Sequence, residues 1–150
     1  MYAALLHTHN LTRWIVLIAA LVALVWALQG WLGRRPFEKR HRIANLVFVA
    51  SLDVQLVLGV ALYAVSPRVR AALSDMGAAM ANHELRFFVV EHLSIMLVAV
   101  VLAHVGGALS RRAPDDRGKH GRALLWFGLS TLAVLFAIPW WRPLFPGMGA

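Results

Sequence analysis

The sequence predicts an all-α fold, an integral membrane antiparallel four-helix bundle, and three observations carry that expectation. The 150 residues are 60% hydrophobic and only 15% charged, too apolar for an ordinary water-soluble domain. The apolar residues gather in four runs, each long enough to cross a hydrocarbon core of about 30 Å. The charges gather in short polar connections between those runs. A segment in lipid must satisfy its own backbone hydrogen bonds, which makes each run a helix, and short connections make successive helices antiparallel. No sequence period and no Ser/Gly-rich linker divides the chain, so residues 1–150 read as a single transmembrane domain.

The first run covers about 3–32 and contains His7, His9 and Arg13 near its start. As a helix it reaches roughly 40 Å, enough to cross and protrude. No basic stretch precedes it and it is too long for the core of a signal peptide, so it reads as a retained helix. A basic turn, Arg34 through Arg42, leads to the second run at about 43–65, which stops at Ser66-Pro67. The connection from Arg68 through Asn82 is Ala-rich and suits a short interfacial helix. The third run covers about 85–109 and ends near Gly106-Gly107; RRAPDDRGKHGR then reads as a solvated loop. The fourth covers about 123–141, where Trp140 and Trp141 anchor it at the interface and Pro139, Pro143 and Pro146 stop it.

The net charge of +8 does not point to nucleic acid, because the cations sit in blocks between apolar runs instead of along one face. Arg34, Arg35, Lys39, Arg40 and Arg42 follow the first helix, and Arg111, Arg112, Arg117, Lys119 and Arg122 follow the third. Only Arg68, Arg70 and Arg86 follow the second, and Arg142 alone marks the tail. The positive-inside rule puts the denser loops in the cytoplasm and both termini outside, as a multi-pass protein of a bacterial cytoplasmic (inner) membrane. The absence of cysteine excludes disulfides, thiolate metal sites, iron–sulfur clusters and covalent haem attachment through CxxCH. No phosphate loop, nucleophile–base pair or protease motif is present, so the sequence assigns no reaction.

Within the third run stand Glu91, His92 and His104. Ionisable groups at membrane depth are costly, which makes them functional-site candidates. Counted from the outer ends of their helices, His7 lies roughly 6 Å deep, His9 roughly 9 Å and His92 roughly 10 Å. His92, Met96, Ala99 and Ala103 share one stripe of the third helix, and Gln55, Gly59 and Tyr63 share a face of the second. Gly59 lets a helix or a flat ligand approach closely. Arg13 cannot escape burial by losing its proton and needs a carboxylate, a carbonyl or an anionic ligand. Asp53 and Gln55 lie at suitable depth for it, but they point about 200° apart.

Two histidines from different helices at one depth in a four-helix bundle form a recognised bis-imidazole site for haem b. Here His92 and either His9 or His7 are the expected ligands to the haem iron, with Met96 on the His92 stripe. Arg13 or Arg86 would neutralise the propionates. A haem-free zinc or copper site from His7, His9, His92 and Glu91 is a weaker alternative, since residues two apart on a helix point nearly opposite ways. His104 has no histidine at its own depth on the first helix, so a second haem is not expected; it reads as a hydrogen bonder between helices. His41 and His120 read as solvated in the basic loops.

The segments LLHTHNLTRW, DVQLVLGVALYAVSP, LRFFVVEHLSIMLVAVVLAHVG and AIPWW resemble the small four-helix bacterial membrane proteins labelled cytochrome-b-like, over nearly the whole chain. More distantly, a His near an Arg at a helix start, then QxxLG, then HL followed by small residues is similar to one four-helix half of haem A synthase. That resemblance implies haem ligation by His92 with His9 or His7, and places Gln55 and Gly59 in the motif of the second helix. The chain has one such half where haem A synthase has two, and Glu91 directly precedes His92, so the resemblance does not extend to synthase activity.

The expected function is electron transfer by a haem-b-binding membrane protein, linked to quinol or serving as a small subunit of a respiratory or photosynthetic complex. The lipid bilayer, a quinone and other membrane subunits are the partners this implies. The competing expectation is a cofactor-free accessory subunit that packs, or binds lipid or pigment, in a larger assembly.

Overall fold

The computed structural model describes residues 1–142, and every described regular element is helical. The expected roles of Pro143 and Pro146 lie outside the described residues. The helices are α1 (Tyr2–Gly33), α2 (Lys39–Val65), α3 (Pro67–Ser74), α4 (Met76–Ala81), α5 (His83–Arg86), α6 (His92–Arg111) and α7 (Asp116–Ala137), with a π-helical turn at Phe87–Glu91 joining α5 to α6. Four stretches are long and apolar enough to cross a membrane: Tyr2–Gly33, Lys39–Val65, His83–Arg111 and Asp116–Ala137.

Local chemistry sets the helix ends. α1 stops where Arg34 adopts a left-handed conformation, φ 49°, and donates its N–H to the Gly30 carbonyl. α2 starts four residues before the expected position because Glu38 and His41 form a reciprocal cap, the Glu38 N–H donating to His41 Nδ1 at 3.0 Å. Ser66 and Pro67 end α2 and begin α3, the serine Oγ accepting from the Val69 N–H. The polar connection holds two short helices, α3 and α4, instead of one.

The segment expected to be a solvated loop is largely helix. Asp115 caps α7 by accepting the Gly118 N–H at 2.7 Å, and Lys119 pairs with Asp116 one turn on. Low hydropathy hid this turn, because its polar residues are the ones that start a helix. α7 therefore begins seven residues early and carries His120 into the interior, where it is fully buried. His41, also expected in solvent, is buried as the first inward residue of α2.

α1 packs against α2 and α7, and α6 packs against α2 and α7. Small residues line the seams: Ala19, Ala20, Ala23 and Ala27 on α1, and Ala99, Ala103 and Gly106 on α6, are all buried. A Cβ on Gly106 would stand 2.6 Å from Trp126 Cβ, so α6 and α7 meet this closely only with glycine there. Phe48 and Phe127 meet edge to face at 5.1 Å in the centre. Ser130 is buried and ties α7 to α6 through its hydroxyl on the Ala99 carbonyl, 2.7 Å.

Candidate functional site

Beside the first turns of α1, at the end of α2 and the end of α7, a cavity of about 350 Å³ opens between helices. His7, His9, Arg13, Gln55, Gly59, His92 and Met96, the residues singled out in the sequence, all line it. α1 supplies His9 and Arg13, α2 supplies Gln55 and Gly59, and α6 supplies His92 and Met96.

The two imidazoles expected as partners face one another. The rings of His9 and His92 lie 6.3 Å apart, centre to centre, at 73°. His92 Nδ1 is 2.7 Å from the Ala137 carbonyl oxygen. A carbonyl only accepts, so Nδ1 carries the proton and the lone pair of His92 is on Nε2. His9 is held against α2: Gln55 Nε2 donates to the His9 carbonyl at 3.0 Å and stands 3.4 Å from His9 Nε2, while Gln55 Oε1 accepts from Thr12 Oγ1. His9 Nδ1 is buried with no hydrogen-bond partner among the described residues. His7, two residues earlier, is exposed at the rim of the cavity.

Gly59 is where the His9 ring meets α2. A Cβ there would lie 3.2 Å from His9 Cε1, tighter than ordinary contact, so the glycine lets the ring lie against the helix backbone. Met96 is buried one turn below His92. Arg13 is buried, its guanidinium 5.7 Å from the centre of the Trp14 ring. Asp53, one of its expected neighbours, turns to α6 and pairs with His104, 2.8 Å away; Gln55 turns to α1. This is the divergence that their spacing requires.

Cations surround the mouth of the cavity. Arg68 and Arg142 line it, and both bond to the same Glu84 oxygen. Arg86 is engaged by Glu91 at 2.6 Å and does not line the cavity, which removes it from the expected site. Glu84 and Glu91 do not lie on one continuous α-helical stripe, because the π-helical turn between them inserts an extra residue and changes the phase of all that follows.

At the other end of the helices is a feature sequence reasoning missed. His41 and His120 meet at 4.8 Å and 87°, with Phe37 5.0 Å from His120. A Cβ on Gly30 would stand 2.3 Å from His120 Cε1, so α1 leaves a flat bed for this ring. Neither nitrogen of His120 has a hydrogen-bond partner among the described residues. His41 Nδ1 accepts from the Glu38 N–H, which leaves the hydrogen of a neutral ring on Nε2 and makes His41 a donor, not a metal ligand. The signal was present: His120, Ala123, Phe127, Ser130, Val134 and Ala137 form one inward stripe, as do His41, Ala44, Phe48, Leu52 and Gln55.

Comparison of the chain with protein-family models, with characterised proteins and with solved structures finds no significant match. The residues that would hold a haem are His9 and His92, whose ring centres are 6.3 Å apart. His92 offers Nε2 with its other nitrogen oriented by a carbonyl, the usual support of a ligating histidine. On His9, Nε2 stands beside the Gln55 amide nitrogen and Nδ1 is buried without a partner among the described residues.

Proposed function

We propose that the chain is an antiparallel bundle of four transmembrane helices that binds haem b between His9 and His92 and acts in electron transfer. The observation that carries the proposal is the facing of these two imidazoles from α1 and α6, 6.3 Å apart between ring centres, inside a cavity. A bound haem b would supply a one-electron couple. The protein's own residues do the rest: Ala137 holds the His92 ring, Gln55 and Thr12 hold the turn that carries His9, and Gly59 and Met96 give it an apolar wall. Arg13, Arg68 and Arg142 provide positive charge for the propionates.

In this proposal the charge asymmetry of the loops sets the bundle in a bacterial cytoplasmic membrane with both termini outside. The electron partner is a quinol in the bilayer or a neighbouring redox subunit. The purified protein is expected to give a reduced-minus-oxidised spectrum with the sharp bands of low-spin haem, lost in His92→Ala. A colourless, correctly folded preparation would overturn the proposal.

One observation favours a second reading. The bonds of Gln55 to Thr12 and to the His9 carbonyl lock α1 to α2 without any cofactor. On that reading the chain is an accessory membrane subunit whose cavity takes a lipid or pigment, and the same colourless preparation would support it.

A further inference from the structure

The two ends of the bundle differ in how their cations are neutralised. At the end that carries His9, Arg68 and Arg142 pair with Glu84, and Arg86 pairs with Glu91. At the opposite end, where α1 finishes and α7 starts, Glu38 is engaged by Arg40 and Asp116 by Lys119, while Asp115 caps α7. Arg34, Arg35 and Arg117 have no ion pair among the described residues, and Arg122 donates to the Leu109 carbonyl at 3.1 Å with no carboxylate partner among them. A guanidinium is charged at any ordinary pH, so this end holds fixed positive charge that the fold leaves uncompensated.

A groove of about 640 Å³ lies there between the last turn of α1 and the first turns of α7. Arg117 and Arg122 line it, together with Trp31, Leu124, Leu125 and a single acid, Asp115. The Arg117 guanidinium lies 5.5 Å from the centre of the Trp31 ring. Trp31 rests on α7 at Gly121, where a Cβ would stand 3.1 Å from the indole Nε1, so the glycine seats the indole against the helix. From the groove an exposed apolar stripe, Leu125, Leu129 and Leu132, leads along α7, and Leu28 is exposed on α1 one turn before Trp31. Arg117 stands roughly 12 Å along α7 from Leu125, and Leu132 roughly 10 Å beyond it.

We infer that this groove binds an anionic phospholipid, with the headgroup phosphate on Arg117 and Arg122 and an acyl chain along Leu125, Leu129 and Leu132. Charge complementarity selects the headgroup: two guanidiniums against one carboxylate leave the groove net positive, and a phosphodiester accepts the hydrogen bonds that an unpaired guanidinium donates. A zwitterionic headgroup would bring a cation of its own to the same place. The apolar stripe selects the rest of the molecule, since a free phosphate would use the arginines alone. Trp31 marks the level, because aromatic side chains of this kind sit where hydrocarbon gives way to headgroups. The inference rests on the membrane part of the proposed function and is independent of haem.

Native mass spectrometry of the purified protein in a neutral detergent counts bound lipid. Phosphatidylglycerol is expected to bind about ten-fold more tightly than phosphatidylcholine with the same chains, and Arg117→Gln combined with Arg122→Gln should abolish that preference. Arg117 makes no hydrogen bond among the described residues, so Arg117→Gln alone leaves the fold intact and is expected to lower the preference about three-fold. Arg111→Gln with Arg112→Gln removes the same charge from the same end but outside the groove, and should leave the preference in place. No preference in the native protein, a preference indifferent to Arg117→Gln, or an equal loss in the variant changed at 111 and 112 would each overturn the inference. So would displacement of the lipid by an equal concentration of glycerophosphoglycerol, the same headgroup without chains. An alkaline wash of membranes separates the premises: a chain that stays in the pellet but shows no lipid preference refutes the lipid site alone, whereas a chain released by the wash refutes the membrane reading with it.

Discussion

His92 Nδ1 on α6 lies 2.7 Å from the carbonyl oxygen of Ala137, the last residue of α7. The final carbonyls of a helix have no donor within the helix, and a buried imidazole N–H needs an acceptor. One bond meets both needs. It fixes the tautomer of His92, turns its lone pair away from α7, and makes the ring's orientation depend on where α7 ends.

The two candidate partners of His92 on α1 are separable by experiment. His9→Ala is expected to abolish the low-spin haem spectrum as fully as His92→Ala, while His7→Ala retains it, because His9 faces His92 and His7 is at the rim. Loss of the spectrum in His7→Ala with retention in His9→Ala would reverse the assignment.

Gln55 is buried and bridges Thr12 and the His9 carbonyl. Gln55→Leu leaves those partners without it and is expected to cost about 1–3 kcal/mol. Unfolding by titration with a denaturing detergent measures this, and a cost near zero would mean that the lock between α1 and α2 is not used.

Gly30→Ala places a methyl group on the bed of the His120 ring, 2.3 Å from Cε1. Because the ring is enclosed, the expected destabilisation is about 1–3 kcal/mol. Combining it with His120→Ala should cost clearly less than the sum of the single changes, since both act on one contact.

His120 itself has two buried nitrogens without partners among the described residues. His120→Phe removes both polar atoms but sets a larger ring on the bed at Gly30, so it is expected to cost less than His120→Ala without being neutral. His120→Ala opens a cavity and should cost about 3 kcal/mol. A phenylalanine variant as unstable as the alanine variant would show that the nitrogens have a use in the folded protein.

Much of the site was legible in the sequence. Helix rise alone put His9 and His92 at one depth, and helix phase alone said that Asp53 and Gln55 must face different neighbours. His104 as a hydrogen bonder between helices followed from the lack of a matching histidine on α1. What was illegible depended on the helix ends. Hydropathy marks where a helix is apolar, not where it starts, so the polar first turns of α2 and α7 read as loop and His41 and His120 were placed in water. The π-helical turn before His92 left no sign in the spacing of apolar residues.

The sequence by itself determined an all-helical chain with four long apolar spans, because only intrahelical hydrogen bonds satisfy so much backbone amid so few polar side chains. It also determined how far along its helix each histidine stands, because rise per residue is a property of the helix. Only the tertiary structure decided what each one faces. Helix rotation, the cap residues and the small-residue seams set side-chain direction, and they turned His92 toward His9 and Ala137, closed His120 into the interior, and left Asp53 and His104 on the outside.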